Sequence, residues 1–232
     1  MALPVTRRSY HHGDLRNALT RAAVGLAEKG GPEAVSIRAA ARAVGVTPTA
    51  AYRHFSGHDE LLSTAKDLAI ASLAEAMRKC LAALPADADP VRNAVHRLAA
   101  LGQGYLQFAL AEPGLFSTAF CLGEPMSLVE AATQDHHPFG MLAAALDELV
   151  AVGYLDPAHR PLAEISTWST THGLANLIVE GPLGELSGQQ RDMTAHLTSA
   201  FVLRGLGTGP NAEPTRSTDS LCTGAAPVPS YG

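Results

Sequence analysis

The chain has 232 residues, a formal net charge of −5 and 47% hydrophobic residues, so it is long enough for one large folded domain or two modest ones. No apolar run is long enough to cross a bilayer, and polar residues follow Arg7 and Arg8 where a signal peptide would need apolar ones. These features argue against a membrane-spanning or secreted protein and predict a soluble, cytoplasmic one. Alanine and leucine outnumber β-branched and aromatic residues, which favours an all-α fold.

Basic residues are concentrated at the N-terminal end. Residues 1–66 contain nine lysines and arginines against five acidic residues, although the whole chain is acidic. A basic segment joined to an acidic body is typical of a nucleic-acid-binding module attached to a ligand- or partner-binding body. An ordinary solvated surface with uneven charge would show the same pattern.

Apolar residues recur at helical spacing along most of the chain, and no strand signature or internal repeat occurs. Asp14, Ser36 and Thr47 are suitable N-caps, while Gly30-Gly31-Pro32 and Gly45 end the first two helices. From Gly207 onward the composition is too rich in Gly, Pro, Ser and Thr to form a core, which predicts a disordered tail. The predicted helices span about residues 14–29, 37–44, 48–55, 59–84, 90–111, 115–121, 126–152, 157–180 and 185–205.

The stretch 36–55, SIRAAARAVGVTPTAAYRHF, has the pattern of a helix-turn-helix. Gly45 can take the positive φ that a tight turn needs, and small apolar residues give both helices an inner face. The N-terminal end of the second helix would enter the major groove of DNA. Two small helices of an ordinary bundle are the alternative. The candidate DNA-binding residues are Ser36, Arg38, Thr47, Pro48, Thr49, Tyr52, Arg53 and His54.

Residues 10–65 resemble the N-terminal domain of the TetR family of transcriptional regulators. The run begins with His11-His12-Gly13-Asp14-Leu15 and reaches Leu61-Leu62. Between these ends, the family's S-x-R-x-x-A-x-x-x-G-V and Y-x-H-F patterns stand in order at Ser36, Arg38, Ala41, Gly45, Val46, Tyr52, His54 and Phe55. The resemblance implies that residues 47–54 bind double-stranded DNA, that Tyr52 and His54 contact phosphates, and that Phe55 anchors the core.

The sequence departs from the family pattern at His58. Family members usually carry a lysine there, three residues after the phenylalanine of Y-x-H-F, at the start of the fourth helix. A neutral imidazole would make a weaker and pH-sensitive phosphate contact. We therefore expect His58 to contact DNA but to give a weaker salt dependence than lysine would.

A second resemblance lies in Trp168-Ser169-Thr170-Thr171-His172-Gly173-Leu174, which is similar to the W-x-x-x-H-G pattern of the WHG-type TetR regulatory domains. Trp168 and His172 are four residues apart and share a helix face, and Gly173 would let another helix approach. Alternatively, Trp168 is a core anchor and His172 its hydrogen-bonded neighbour.

The helices over 90–180 are expected to enclose an apolar cavity for a small-molecule effector. Polar residues on otherwise apolar helical patterns are the candidates to line it, although each has a purely structural alternative. They are His96, Gln103, Tyr105, Trp168, His172 and Asn176.

The resemblance also implies a homodimer that pairs through its last two long helices. A single helix-turn-helix makes few contacts, so two-fold pairing on a palindromic operator is expected. Packing of the same residues within one chain is the alternative. The predicted interface comprises Leu174, Leu177, Ile178, Met193, Leu197 and Phe201.

We expect no cofactor, no metal site and no enzymatic activity. Cys80, Cys121 and Cys222 are widely spaced and form no C-x-x-C pair. His11-His12 and Asp135-His136-His137 offer neighbouring side chains that point in different directions, and neither has a third ligand at a useful spacing. No nucleophile, phosphate-binding or dinucleotide-binding motif occurs.

The expected organisation is a flexible basic arm at 1–12, a three-helix helix-turn-helix DNA-binding domain at 13–60, a helical regulatory and dimerisation domain at 61–206 and a disordered tail at 207–232. The family resemblance implies a repressor that its ligand releases from DNA. Two alternatives stay open: a DNA-binding module that dimerises without sensing a ligand, and a helical scaffold or enzyme with a chance motif.

Overall fold

The computed structural model describes residues 12–121, 131, 133–134 and 136–207. Within them the regular elements are helices, which confirms the predicted all-α class. Leu155 and Gly207 form an isolated antiparallel bridge. The predicted arm and tail lie outside these residues, apart from His12 and Gly207. The α-helices are α1 (His12–Ala34), α2 (Ile37–Val44), α3 (Pro48–Ala51), α4 (His58–Ala82), α5 (Pro90–Ala111), α6 (Pro113–Ala119), α7 (Pro138–Ala151), α8 (Arg160–Val179) and α9 (Gly188–Leu206).

Local capping determines where the two short helices α2 and α3 begin and end. Ser36 Oγ accepts a hydrogen bond from the Ala39 amide at 3.2 Å, and Thr47 Oγ1 accepts one from the Ala50 amide at 3.3 Å. Each bond satisfies an amide that has no partner inside its own helix. Gly45 ends α2 with φ of +80°, a conformation that favours glycine. The predicted turn is therefore confirmed in geometry.

One predicted helix start is wrong, and another predicted helix is interrupted. α1 begins at His12, so Asp14 lies inside the helix rather than at its N-cap. The helix predicted over 126–152 is interrupted, since residues 133, 134, 136 and 137 are not helical, and α7 begins at Pro138, where the His137 ring accepts the Phe139 amide at 3.1 Å and proline is favourable in a first turn. Apolar periodicity does not register such a local cap.

One predicted helix end differs from the structure, and another agrees with it. α3 is shorter than expected, since residues 52–54 form turns after Ala51. In α1, Gly30 and Gly31 have non-helical backbone angles, so the regular helix ends where the Gly-Gly-Pro signal predicts, and a single further turn reaches Ala34.

Tight packing of small residues joins the N-terminal helices to the rest of the chain. Ala40, Ala41 and Ala51 are fully buried where α2 and α3 pack against α1. α6 also packs against α1, and a Cβ atom at Gly114 would collide with the Ala27 carbonyl oxygen. α4 contacts α1 on one side and α5 on the other, so α4 and α6 connect the N-terminal helices to the body.

The body consists of α5, α7, α8 and α9, with Leu146, Leu149 and Phe139 among its most deeply buried side chains. None of the helices in the described part of the chain has both the length and the hydropathy needed to span a membrane.

Candidate nucleic-acid interface and internal cavity

The outward side of α3 and of the residues next to its two ends carries most of the residues predicted to read DNA. Thr47, Pro48, Thr49, Tyr52 and Arg53 are exposed, and Tyr52 has 52% of its surface accessible to solvent. The inner face is closed by Ala51 and by Phe55, which is 1% exposed. The helix thus directs hydroxyl and guanidinium donors to solvent while its apolar residues anchor it.

The remaining predicted DNA-binding residues flank α3. Arg38 is exposed on α2, and His58 is exposed as the first residue of α4. His54 is half-buried, and its carbonyl oxygen accepts a hydrogen bond from Arg16. Ser36 is half-buried, and its hydroxyl oxygen accepts the hydrogen bond that caps α2. Because the oxygen acts as the acceptor there, the hydroxyl proton is available to a phosphate.

A pair of charged residues that sequence reasoning missed holds the end of α3 in place. The Arg16 guanidinium lies 4.3 Å from the centre of the Phe55 ring, and its Nη2 atom is 2.8 Å from Glu60 Oε1. Glu60 Oε2 also accepts the Ser56 amide at 2.7 Å. This amide bond, together with Arg16, lowers the pKa of Glu60 from 4.5 to about 2. No local pattern reveals the pair, because its members are 44 positions apart.

The body contains a cavity of about 340 Å³ between α5, α8 and α9. Of the residues predicted to line it, Gln103, Tyr105 and Trp168 do so. His96, His172 and Asn176 do not belong to its lining, and His96 is exposed on α5. These three residues lie on the helices that form the cavity but outside its lining, because the direction of a cavity depends on how helices cross.

His172 lies beside the cavity, within a group of aromatic rings. Its Nδ1 atom is 2.7 Å from the Tyr105 hydroxyl, and its ring centre is 4.7 Å from that of Phe120. Burial lowers the pKa of His172 and raises that of Tyr105, so both side chains are neutral near pH 7. Trp168 contacts Tyr105 and Phe139 edge to face, at 5.4 and 5.2 Å between ring centres. Trp168 is therefore both a packing residue and part of the cavity wall.

A stripe of apolar side chains on α8 and α9 is exposed in the single chain. Of the predicted interface residues, Leu174 and Ile178 are instead buried and line the cavity, which corrects that part of the prediction. Their spacing of four places both on the inner face of α8, whereas Leu177 lies on the outer face. The exposed stripe comprises Leu162, Ile165, Leu177, Met193, Leu197 and Phe201.

The described residues contain no group of three potential metal ligands. Cys80 and Cys121 are half-buried free thiols. His137 caps α7, and burial lowers its pKa, with a smaller contribution from His136. Asp135 lies outside the described residues.

Two family models match the chain, one in its N-terminal part and one in its C-terminal part. Residues 19–65 match the family model of bacterial regulatory proteins of the tetR family, and residues 98–201 match that of the tetracyclin repressor-like C-terminal domain. The second match includes the Trp168–His172 pair. A search of curated protein sequences finds no match.

Solved structures share the fold. A protein of unknown function from Rhodococcus sp. RHA1 has 27% identity and a TM-score of 0.68, with 87% of this chain and 100% of that chain covered. The TetR family transcriptional regulator PfmR from Thermus thermophilus has 24% identity and a TM-score of 0.55, with coverages of 84% and 98%. A TetR variant from Acinetobacter baumannii AYE in complex with minocycline has 16% identity and a TM-score of 0.56, with coverages of 85% and 96%.

Proposed function

Because the chain belongs to the TetR family of DNA-binding transcription regulators, we propose that it is a homodimeric repressor that binds a palindromic operator and is released by a small-molecule ligand. In this proposal residues 13–60 form the DNA-binding domain and residues 61–206 the regulatory and dimerisation domain. The observation that carries the proposal is the outward presentation of α3.

Contact with DNA would be made by the N-terminal end of α3. Thr47 and Thr49 are exposed at this end and suit base edges or phosphates, while Tyr52 and Arg53 offer donors to phosphate oxygens. Pro48 at the first helical position stiffens the entry. The Arg16–Glu60 pair supports this surface from behind, since it joins the carbonyl of His54 and the amide of Ser56 to α1 and α4.

Dimerisation would use the exposed stripe on α8 and α9. Phe201 is 73% exposed and Leu162 is 71% exposed, and large apolar side chains in such a row mark a protein–protein contact. Gly173 lies on the same face of α8, and a Cβ atom there would meet nothing within 4 Å in the chain. A glycine inside a helix costs about 1 kcal/mol relative to alanine. The close approach of a helix from a second copy of the chain would explain a glycine at position 173.

The effect of a bound ligand would be transmitted from the cavity to the DNA-binding helices through α6. Tyr105 lines the cavity and contacts Phe116 of α6 edge to face, at 5.8 Å between ring centres. α6 in turn packs tightly on α1 at Gly114, and Ser117 hydrogen-bonds to Glu180 at the end of α8. A ligand that displaced Tyr105 would therefore shift α6 against α1. Such coupling is typically about 1–3 kcal/mol, a 5–150-fold loss of operator affinity.

The proposal is tested by selecting DNA from a random pool with the native protein and measuring affinity for the selected sequence by fluorescence anisotropy. We expect Tyr52→Ala to weaken binding about tenfold or more, while Arg78→Ala, an exposed arginine on α4 that pairs with Glu75, leaves it unchanged. Equal binding by native protein and Tyr52→Ala would refute the assignment of α3. Selected DNA without two-fold symmetry would refute the palindromic dimer.

A further inference from the structure

The cavity changes in chemistry from its buried walls to its exposed rim. The walls are apolar, with only two polar side chains among the buried lining residues, Tyr105 and Thr167. The acidic, basic and imidazole side chains of the lining lie on α9, where Asp192 and His196 are exposed and Arg191 is half-buried. A molecule in this cavity would therefore have a mainly apolar environment around its body, with Tyr105 and Thr167 as the polar side chains of the buried wall.

Among the described residues, none of the buried ones that line the cavity carries a charged side chain. Tyr105 stays protonated because burial raises its pKa, and its hydroxyl is already paired with His172. At the rim, Arg191 and Asp192 are consecutive and opposite in charge, and Arg191 Nε donates to the Leu186 carbonyl at 3.0 Å. A ligand ion placed among the walls would lose its hydration without gaining a partner.

Thr167 has a polar atom that forms no hydrogen bond with the part of the chain that the structure describes. Its hydroxyl oxygen is buried and has no hydrogen-bond partner within the described residues. An unpaired buried hydroxyl is unfavourable, and Thr167 belongs to the cavity lining. Rotation of the Thr167 side chain toward the cavity would let its hydroxyl pair with one hydroxyl or carbonyl group of a ligand.

We propose that the cavity selects an uncharged, mainly apolar small molecule with a single hydroxyl or carbonyl group, and that it discriminates against carboxylates and ammonium ions of the same shape. This inference rests on the proposed ligand-responsive function, since it names the class of ligand for that cavity. The volume of about 340 Å³ suits a molecule of one or two rings.

Trp168 makes the site observable, because it is the single tryptophan of the chain and lines the cavity. The probes are three molecules of similar shape that do not absorb near tryptophan: 4-tert-butylcyclohexanol, 4-tert-butylcyclohexanecarboxylate and 4-tert-butylcyclohexylammonium. Each is titrated into the full chain at pH 7 while Trp168 fluorescence and the thermal unfolding midpoint are recorded. We expect the alcohol to bind saturably and at least about tenfold more tightly than either ion.

A matched pair of variants shows whether binding occurs in the cavity. Gly102 lines the cavity and Gly25 on α1 does not, and a Cβ atom at either position meets nothing within 4 Å. Gly102→Leu should fill the cavity and weaken alcohol binding about tenfold or more, whereas Gly25→Leu should leave it unchanged. If Gly102→Leu fails to fold, Ala195→Leu fills the cavity from α9 instead.

The outcomes separate the ligand class from the proposed function. Binding of an ion as tightly as the alcohol, alcohol binding that Gly102→Leu does not weaken, or no binding of any probe would each overturn the inference. Operator affinity is measured separately, with and without the alcohol. If the alcohol binds as expected but leaves operator affinity unchanged, the ligand class stands and ligand-controlled release fails.

Discussion

Glu60 at the start of α4 and Arg16 on α1 form an ion pair, with 2.8 Å between Oε1 and Nη2, directly behind the end of α3. Each partner also binds the backbone after α3, Arg16 at the His54 carbonyl and Glu60 at the Ser56 amide. The proposed DNA-reading helix is therefore attached to two longer helices through one pair of side chains. A movement of α4 would be transmitted to α3 through Glu60.

The lowered pKa of Glu60 predicts a pH-dependent contribution to stability. A carboxyl group with a depressed pKa in the folded state stabilises the fold above its ordinary pKa of 4.5, and this contribution is lost as the pH falls from 4.5 toward about 2. Glu60→Gln should lower the thermal unfolding midpoint at pH 7, and the difference from the native protein should shrink below pH 4.5.

The control for this prediction is Glu75→Gln, which removes another exposed carboxylate of α4 that pairs with an arginine, Arg78. It should change the midpoint less at pH 7, because Glu75 does not hold the backbone after α3. A Glu60→Gln difference that is the same at pH 7 and pH 3 would contradict the prediction.

The identity of residue 58 predicts a change in salt dependence. His58 is exposed at the first residue of α4, so His58→Lys would place a permanent positive charge there. One added phosphate contact should steepen the slope of log affinity against log salt concentration by about 0.9. Operator titrations at several salt concentrations measure the slope. Unchanged affinity and slope near neutral pH would show that this residue does not contact DNA.

The hydrogen bond between Tyr105 and His172 predicts a non-additive pair of substitutions. Tyr105→Phe leaves the half-buried His172 ring without its 2.7 Å partner and should cost about 1–3 kcal/mol of unfolding free energy. Combining it with His172→Phe removes the unpaired group, so the double variant should lose less than the sum of the two single ones. Urea denaturation of all four proteins measures this coupling. Strict additivity would show that the two side chains do not stabilise each other.

The exposed stripe predicts a charge-sensitive dimer. Phe201→Glu would place a carboxylate among apolar side chains at the proposed interface, and we expect the dimer to dissociate into monomers at micromolar concentration. Leu68→Glu is the control, because Leu68 is an exposed leucine on α4 outside the stripe. Analytical ultracentrifugation measures the mass of each protein. A Phe201→Glu dimer as stable as the native one would place the interface elsewhere.

The features that are local along the chain were predictable from the amino-acid sequence. Ser36, Gly45 and Thr47-Pro48 define the turn and its two helices through bonds to neighbours no more than four residues away, so the motif could be identified from the sequence. The periodicity of the longer helices follows from burial of one face and was equally visible, although it did not reveal the interruption before His137 and Pro138, where α7 begins.

What depends on how the helices cross was decided by the tertiary structure alone. The pairing of Arg16 with Glu60 joins residues 44 positions apart. Leu174 and Ile178 face the cavity while Leu177 faces solvent, because the neighbours of α8 determine which of its apolar faces is covered. The sequence shows that an apolar residue on a helix tends to be buried. Which neighbour buries it depends on how the helices pack together.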